Sequence, residues 1–228
     1  LRRKYSQQVG WELSLEWWVW QIVGLQEQVK RGLWFQWVRA NIVGWFVCLF
    51  VGLFVVVLVD GWVDNTIGSF GLAVLAPIFG TVVGSFQWWV LRKRLSQARW
   101  WVLATALASA IGFLIAMAVS NAVSVFVSDA VIIYTVSYSL MGLVIGSAQW
   151  LVLRKQIYQS HWWILASVLG IAATLFAIVY SSRFEEGSFL ETYLLSFGMF
   201  GIIYGVITGF ALVWLLRQPG NSVRNNKN

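Results

Sequence analysis

Charge is scarce in this chain: Asp, Glu, Lys and Arg supply 11% of its 228 residues, against 59% hydrophobic residues and a mean hydropathy of +0.73. A soluble domain carries charge at roughly a quarter of its positions, so an ordinary soluble fold is excluded. Cysteine is reduced to Cys48, inside an apolar run. That excludes a disulfide framework and a Cys-rich metal site and leaves packing as its role. Histidine is reduced to His161. No Asp, Glu, Lys or His falls in the long apolar runs given below, so the proton relays, ion-coordinating carboxylates and metal clusters of pumps and intramembrane hydrolases are missing. No phosphate-binding glycine loop occurs either. A non-enzyme without a metal is the expectation.

What is abundant is aromatic. Sixteen Trp and fifteen Phe suit the boundary between hydrocarbon and water. Six runs are long enough to cross a bilayer as helices: 42–59, 69–91, 100–119, 130–153, 162–180 and 193–216. The net charge of +7 would suggest nucleic acid on a soluble protein, but here its placement follows the spans. Residues 1–41, 92–99, 154–161 and 217–228 hold every basic residue except Arg183, while six of the nine acids lie on the opposite connections. Positive-inside bias then puts both termini in the cytoplasm, with no nucleic-acid partner. The opening LRRKYSQQVGWELSLEWW lacks an apolar core before Glu12 and Glu16, so it reads as mature sequence rather than a secretory signal.

The runs repeat. GTVVGSFQWWVLRKRLSQARWWVLA from Gly80 matches GLVIGSAQWLVLRKQIYQSHWWILA from Gly142 at a constant offset, and GVITGFALVWLLR from Gly205 is a weaker third copy. Trp37 and Ala40 correspond to Trp101 and Ala104, then to Trp163 and Ala166. The fold expected is therefore all-α: six transmembrane helices as three parallel hairpins (34–94, 95–157, 158–217), flanked by an N-terminal segment (1–33) and a C-terminal tail (218–228).

The unit WWxxA followed by GxxxGxxQWxVLR resembles a family of uncharacterised polytopic membrane proteins of bacteria, frequent in photosynthetic ones. The resemblance covers roughly residues 34 to 217. It brings no activity and implies a bacterial plasma or thylakoid membrane.

Each motif has two readings. Gly80 with Gly84, Gly142 with Gly146, and Gly205 with Gly209 allow close helix approach, either between the protein's own hairpins or in a dimer. Own-hairpin packing is preferred because every even helix carries the pair. Gln87 and Gln149 share a face with their glycines and lie about 7 Å inside the arginines that follow. They are read as interhelical contacts to backbone or indole, with a ligand contact as the alternative. Arg92, Lys93, Arg94, Arg99, Arg154, Lys155, His161 and Arg217 are read as anchors at the cytoplasmic interface, where the basic clusters also suit anionic lipid. His161 takes the place of Arg99 in the repeat, which favours an anchor over an axial ligand. Trp11, Leu15, Trp18, Ile22, Leu25 and Val29 form one stripe of an amphipathic helix that either lies in the headgroup plane or docks on a partner. Tyr134, Ser137 and Tyr138 either line a pocket for a neutral or amphiphilic ligand or bond across helices.

These features point first to an accessory, assembly or scaffolding subunit of a larger bacterial membrane complex, with membrane lipids and other membrane subunits as partners. The alternative is a transport component binding a small amphiphilic molecule, since the chain is similar in size to the membrane substrate-binding subunits of energy-coupled vitamin importers, whose motifs it lacks. No cofactor is assigned; a bound lipid or pigment suits either reading.

Overall fold

The computed structural model describes residues 32–55, 68–181 and 189–218. Among them every regular element is helical: α1 (Gly32–Val55), α2 (Gly68–Leu91), α3 (Arg99–Val123), α4 (Ala130–Leu153), α5 (Trp162–Ser181), α6 (Phe189–Met199) and α7 (Gly205–Leu216). A π-helical turn (Phe200–Tyr204) joins α6 to α7, so the described residues form six spans long and apolar enough to cross a membrane. The protein is an all-α, multi-pass membrane protein.

The last five charge-free runs match these helices to within four residues at each end. The first differs, because α1 begins at Gly32 rather than at residue 42. Arg39 ends the charge-free run without ending the helix, since its side chain is exposed on the outer face and can reach toward the headgroup layer. The stripe from Trp11 to Val29 lies outside the described residues. Asp129 starts α4 as its N-cap, accepting from the Val131 and Ile132 N–H groups at 2.8 and 3.2 Å.

The six spans close into a ring. α2, α3, α4 and α5 each pack on the next, and α5 packs on the π turn and α7. α1 completes the circuit: Gly44 lies against Val83 of α2, while Gly201 and Gly205 lie against Ile42, Asn41 and Val38. Lipid tails give helices no hydrophobic reason to associate, so close backbone approach and internal hydrogen bonds must hold this ring.

The glycine pairs supply that approach in cyclic order. Gly80 and Gly84 face α3, Gly142 and Gly146 face α5, and Gly205 and Gly209 face α1. A Cβ at Gly80 would fall 2.5 Å from Ser109 Oγ, and one at Gly142 would fall 3.0 Å from Val168 Cα. Each hairpin thus presents its pair to the first helix of the next, and the third presents its own to the first. All three pairs lie against helices of the same chain. On the basic side, the Ser96 N–H and hydroxyl both meet Gln156 Oε1, at 2.9 and 3.2 Å, tying two connections together.

Candidate functional site

Three tryptophans meet where the hairpins converge. Trp37, Trp101 and Trp163 are fully buried, with ring centroids 6.1, 5.7 and 5.5 Å apart and mutually edge-to-face. This is a favourable aromatic geometry. Leu91, Leu95, Leu153, Ile157 and Leu215 pack in the same core. The axis is therefore filled at the basic end rather than open as a pore.

A buried indole N–H needs an acceptor, and the repeated glutamines provide it. Trp101 Nε1 donates to Gln87 Oε1 at 2.9 Å, and Trp163 Nε1 donates to Gln149 Oε1 at 2.8 Å. Each amide then donates to the first helix of its own hairpin, Gln87 Nε2 to Asn41 Oδ1 at 2.9 Å and Gln149 Nε2 to Thr105 Oγ1 at 3.0 Å. Asn41 Nδ2 and the Thr105 hydroxyl pass the chain on to the carbonyls of Trp37 and Trp101. Both amides thus bond to an indole of the neighbouring hairpin.

The third repeat solves the same problem with different residues. Leu212 stands where the glutamines stand in the other copies, and Trp37 Nε1 donates instead to Thr208 Oγ1, one turn earlier, at 3.0 Å. Thr208 passes its own proton to the Tyr204 carbonyl. What remains is Ser167, the counterpart of Asn41 and Thr105, whose buried hydroxyl has no glutamine beside it and lies instead against the Tyr204 phenol.

Gln87, Val90 and Leu91 are buried on one face, as are Gln149, Val152 and Leu153. Trp88 and Trp150 lie beneath the guanidinium groups of Arg92 and Arg154, at 5.3 and 5.4 Å. Lys93, Arg94, Lys155 and Arg217 are exposed at the same end; partial burial lowers the pKa of Arg94 from its ordinary value. Arg99 lies over Trp100 and the His161 ring lies beside Trp162, at 5.8 and 5.7 Å, so the two occupy equivalent places. Among the described residues no three His, Cys, Asp or Glu side chains gather as a metal site.

Beyond the tryptophans lies a cavity of about 290 Å³. Gln87, Gln149 and Thr105 line it together with Tyr134, Tyr138 and Tyr204 and the rings of Trp45, Phe79 and Phe200. Among the described residues none of its lining side chains is acidic, basic or histidine. Trp45, stacked on Phe200 at 4.6 Å, has a buried indole N–H without a partner. Each glutamine amide nitrogen also carries a second hydrogen. Tyr134 and Tyr138 therefore belong to the pocket, whereas Ser137 is buried with no hydrogen-bond partner.

Sequence reasoning overlooked Trp37, Trp101 and Trp163 as a cluster, and with them Asn41, Thr105 and Thr208. The signal lay in the repeat, which aligns the three tryptophans and puts a polar residue four positions after each: Asn41, Thr105 and Ser167. No protein-family model, curated protein or solved structure matches the chain.

Gln87→Leu and Gln149→Leu test the network. Each should lower stability in detergent by roughly 0.6 to 1.7 kcal/mol, the range for interhelical polar contacts. Adding Trp101→Phe to Gln87→Leu should cost less than the two separate losses combined, because the indole then has no acceptor to lose. Strictly additive losses in thermal unfolding would show that the bond contributes nothing.

Proposed function

We propose that the protein is a non-enzymatic membrane protein that binds one small, neutral, largely apolar molecule on the axis of its helix ring. The cavity carries this reading. At about 290 Å³ it is roughly twice the ~150 Å³ that admits benzene, so a two-ring group or a short branched chain fits. Its lining without charge selects against ions, while the Trp45 N–H and the spare amide hydrogens call for an occupant with an acceptor oxygen.

The test is ligand-linked stability. Fractions of a native membrane extract are added to detergent-stripped protein. One fraction should raise the melting temperature, since saturation at about 100 times Kd contributes about 2.7 kcal/mol. Leu175→Trp, which puts a ring into the cavity from a buried wall position, should fold and lose the response. Failure of every fraction, or a response retained in Leu175→Trp, would overturn the proposal.

An accessory subunit of a larger complex is the second reading, favoured by one observation. Phe46, Phe50 and Phe54 form an exposed aromatic ridge along α1, suited to a neighbouring membrane helix. Either reading places the chain in a bacterial plasma or thylakoid membrane, on the family resemblance, with cytoplasmic termini, on the charge asymmetry. Cysteines at the exposed positions Gln97 and Ser128 test the orientation after Cys48 is replaced. An impermeant thiol reagent on intact cells should label position 128 and spare position 97; the reverse would invert the topology.

A further inference from the structure

At the basic end, a groove of about 330 Å³ runs between α1 and α2 on the outer surface, separate from the central cavity. Gln36, Arg39 and Lys93 line its polar part, and Val43, Phe86 and Trp89 line its apolar part. We propose that this groove is a binding site for an anionic phospholipid, with its phosphate between Arg39 and Lys93 and an acyl chain along Val43 and Phe86.

The protein's own repeats provide the comparison. The same positions of the second hairpin line a groove between α3 and α4, but with Leu103 in place of Arg39, leaving Lys155 as its only cation. In the third hairpin the counterparts are Leu165 and Gln218. There Trp162 and Trp214, which replace Gln36 and Trp89, meet edge-to-face at 6.3 Å. One scaffold thus occurs with two cations, one and none. The cation pair is dispensable for folding a hairpin, and Arg92 and Arg94 already mark the basic edge.

Position adds a second reason. The repeat aligns Arg99 with Phe35, so Arg39 sits one helical turn, about 6 Å, deeper in the membrane than that anchor. A guanidinium at that depth needs an anion or a path to the headgroup layer. The acidic side chains among the described residues, Asp129 and Glu191, stand at the opposite end of the helices. A phosphate meets the charge, and the apolar continuation of the groove distinguishes a lipid from a free anion. Basic pockets between membrane helices on the cytoplasmic side serve this purpose elsewhere.

The experiment uses the full chain, delipidated in mild detergent and offered equal amounts of phosphatidylglycerol and phosphatidylcholine, with bound lipid read by mass spectrometry of the intact complex. The wild type should retain phosphatidylglycerol preferentially. Arg39→Leu combined with Lys93→Gln installs the residue types of the third hairpin and should reduce that preference by about 30-fold, at about fivefold per cation. Lys155→Gln should leave most of it. Thermal unfolding establishes that the double variant is folded; if it is not, the single variants Arg39→Leu and Lys93→Gln should each lose about fivefold. An unchanged preference in folded variants, no preference in the wild type, or equal loss in Lys155→Gln would overturn the proposal. Displacement of the lipid by inorganic phosphate at matching concentration would identify a free-anion site and also overturn it.

Discussion

Gly146→Leu should prevent the second and third hairpins from packing, and the variant should aggregate or unfold in detergent at temperatures where the wild type is intact. A Cβ at this position would fall 2.8 Å from Ser167 Cβ and 3.0 Å from Ile164 Cα. Backbone cannot yield as a flexible side chain can, so the penalty should exceed the 1 to 3 kcal/mol typical of overpacking. Gly84 is the repeat counterpart, and its nearest backbone neighbour, Val102 Cα, is 3.4 Å away. Gly84→Ala should therefore be milder than Gly146→Ala. Thermal unfolding followed by size-exclusion chromatography measures both, and a Gly146→Leu variant as stable as wild type would show that α4 and α5 do not approach in this way.

Trp101→Ala has the second large effect. The indole is fully buried, touches the rings of Trp37 and Trp163, and donates to Gln87. Truncating a buried Trp to Ala costs about 3 to 5 kcal/mol, and the Gln87 carbonyl is left without its donor. Trp163→Ala should cost about as much because its surroundings repeat those of Trp101. The double variant should lose less than twice the single loss, since the two rings are in contact. Chemical denaturation in mixed micelles supplies the numbers. A loss below about 1 kcal/mol for either single variant would remove the triad from the core.

Much of this fold was legible because the bilayer writes directly on the sequence. A helix of about 20 residues with no charge announces itself, and Gly80, Gly84, Gly142 and Gly146 stand at spacings that only packing requires. The triad was less legible because adjacent tryptophans carry opposite fates: Trp100 is 50% exposed while Trp101 is fully buried, and Trp162 is 46% exposed while Trp163 is fully buried. Composition assigns both members of each pair to the interface. Only the convergence of α1, α3 and α5 separates them. Thr208 was hidden for a related reason, since the acceptor for Trp37 moves back one turn from Leu212, and a column-by-column reading of the repeat finds only a lost glutamine. Arg39 misled the reading of α1 because a charge ends an apolar run but not a helix whose charged side chain points outward. The cavity was half visible in Tyr134 and Tyr138. Its other walls come from five further helical segments that no local pattern brings together.

Occupancy of the cavity is read from the intact mass of the protein released from the mildest micelle that keeps it folded, compared with the mass of Leu175→Trp prepared in the same way. Wild-type protein should carry one neutral small molecule at one-to-one stoichiometry, and Leu175→Trp should be folded but without it. A wild-type mass with nothing bound, or the same molecule retained by Leu175→Trp, would contradict the proposed binding.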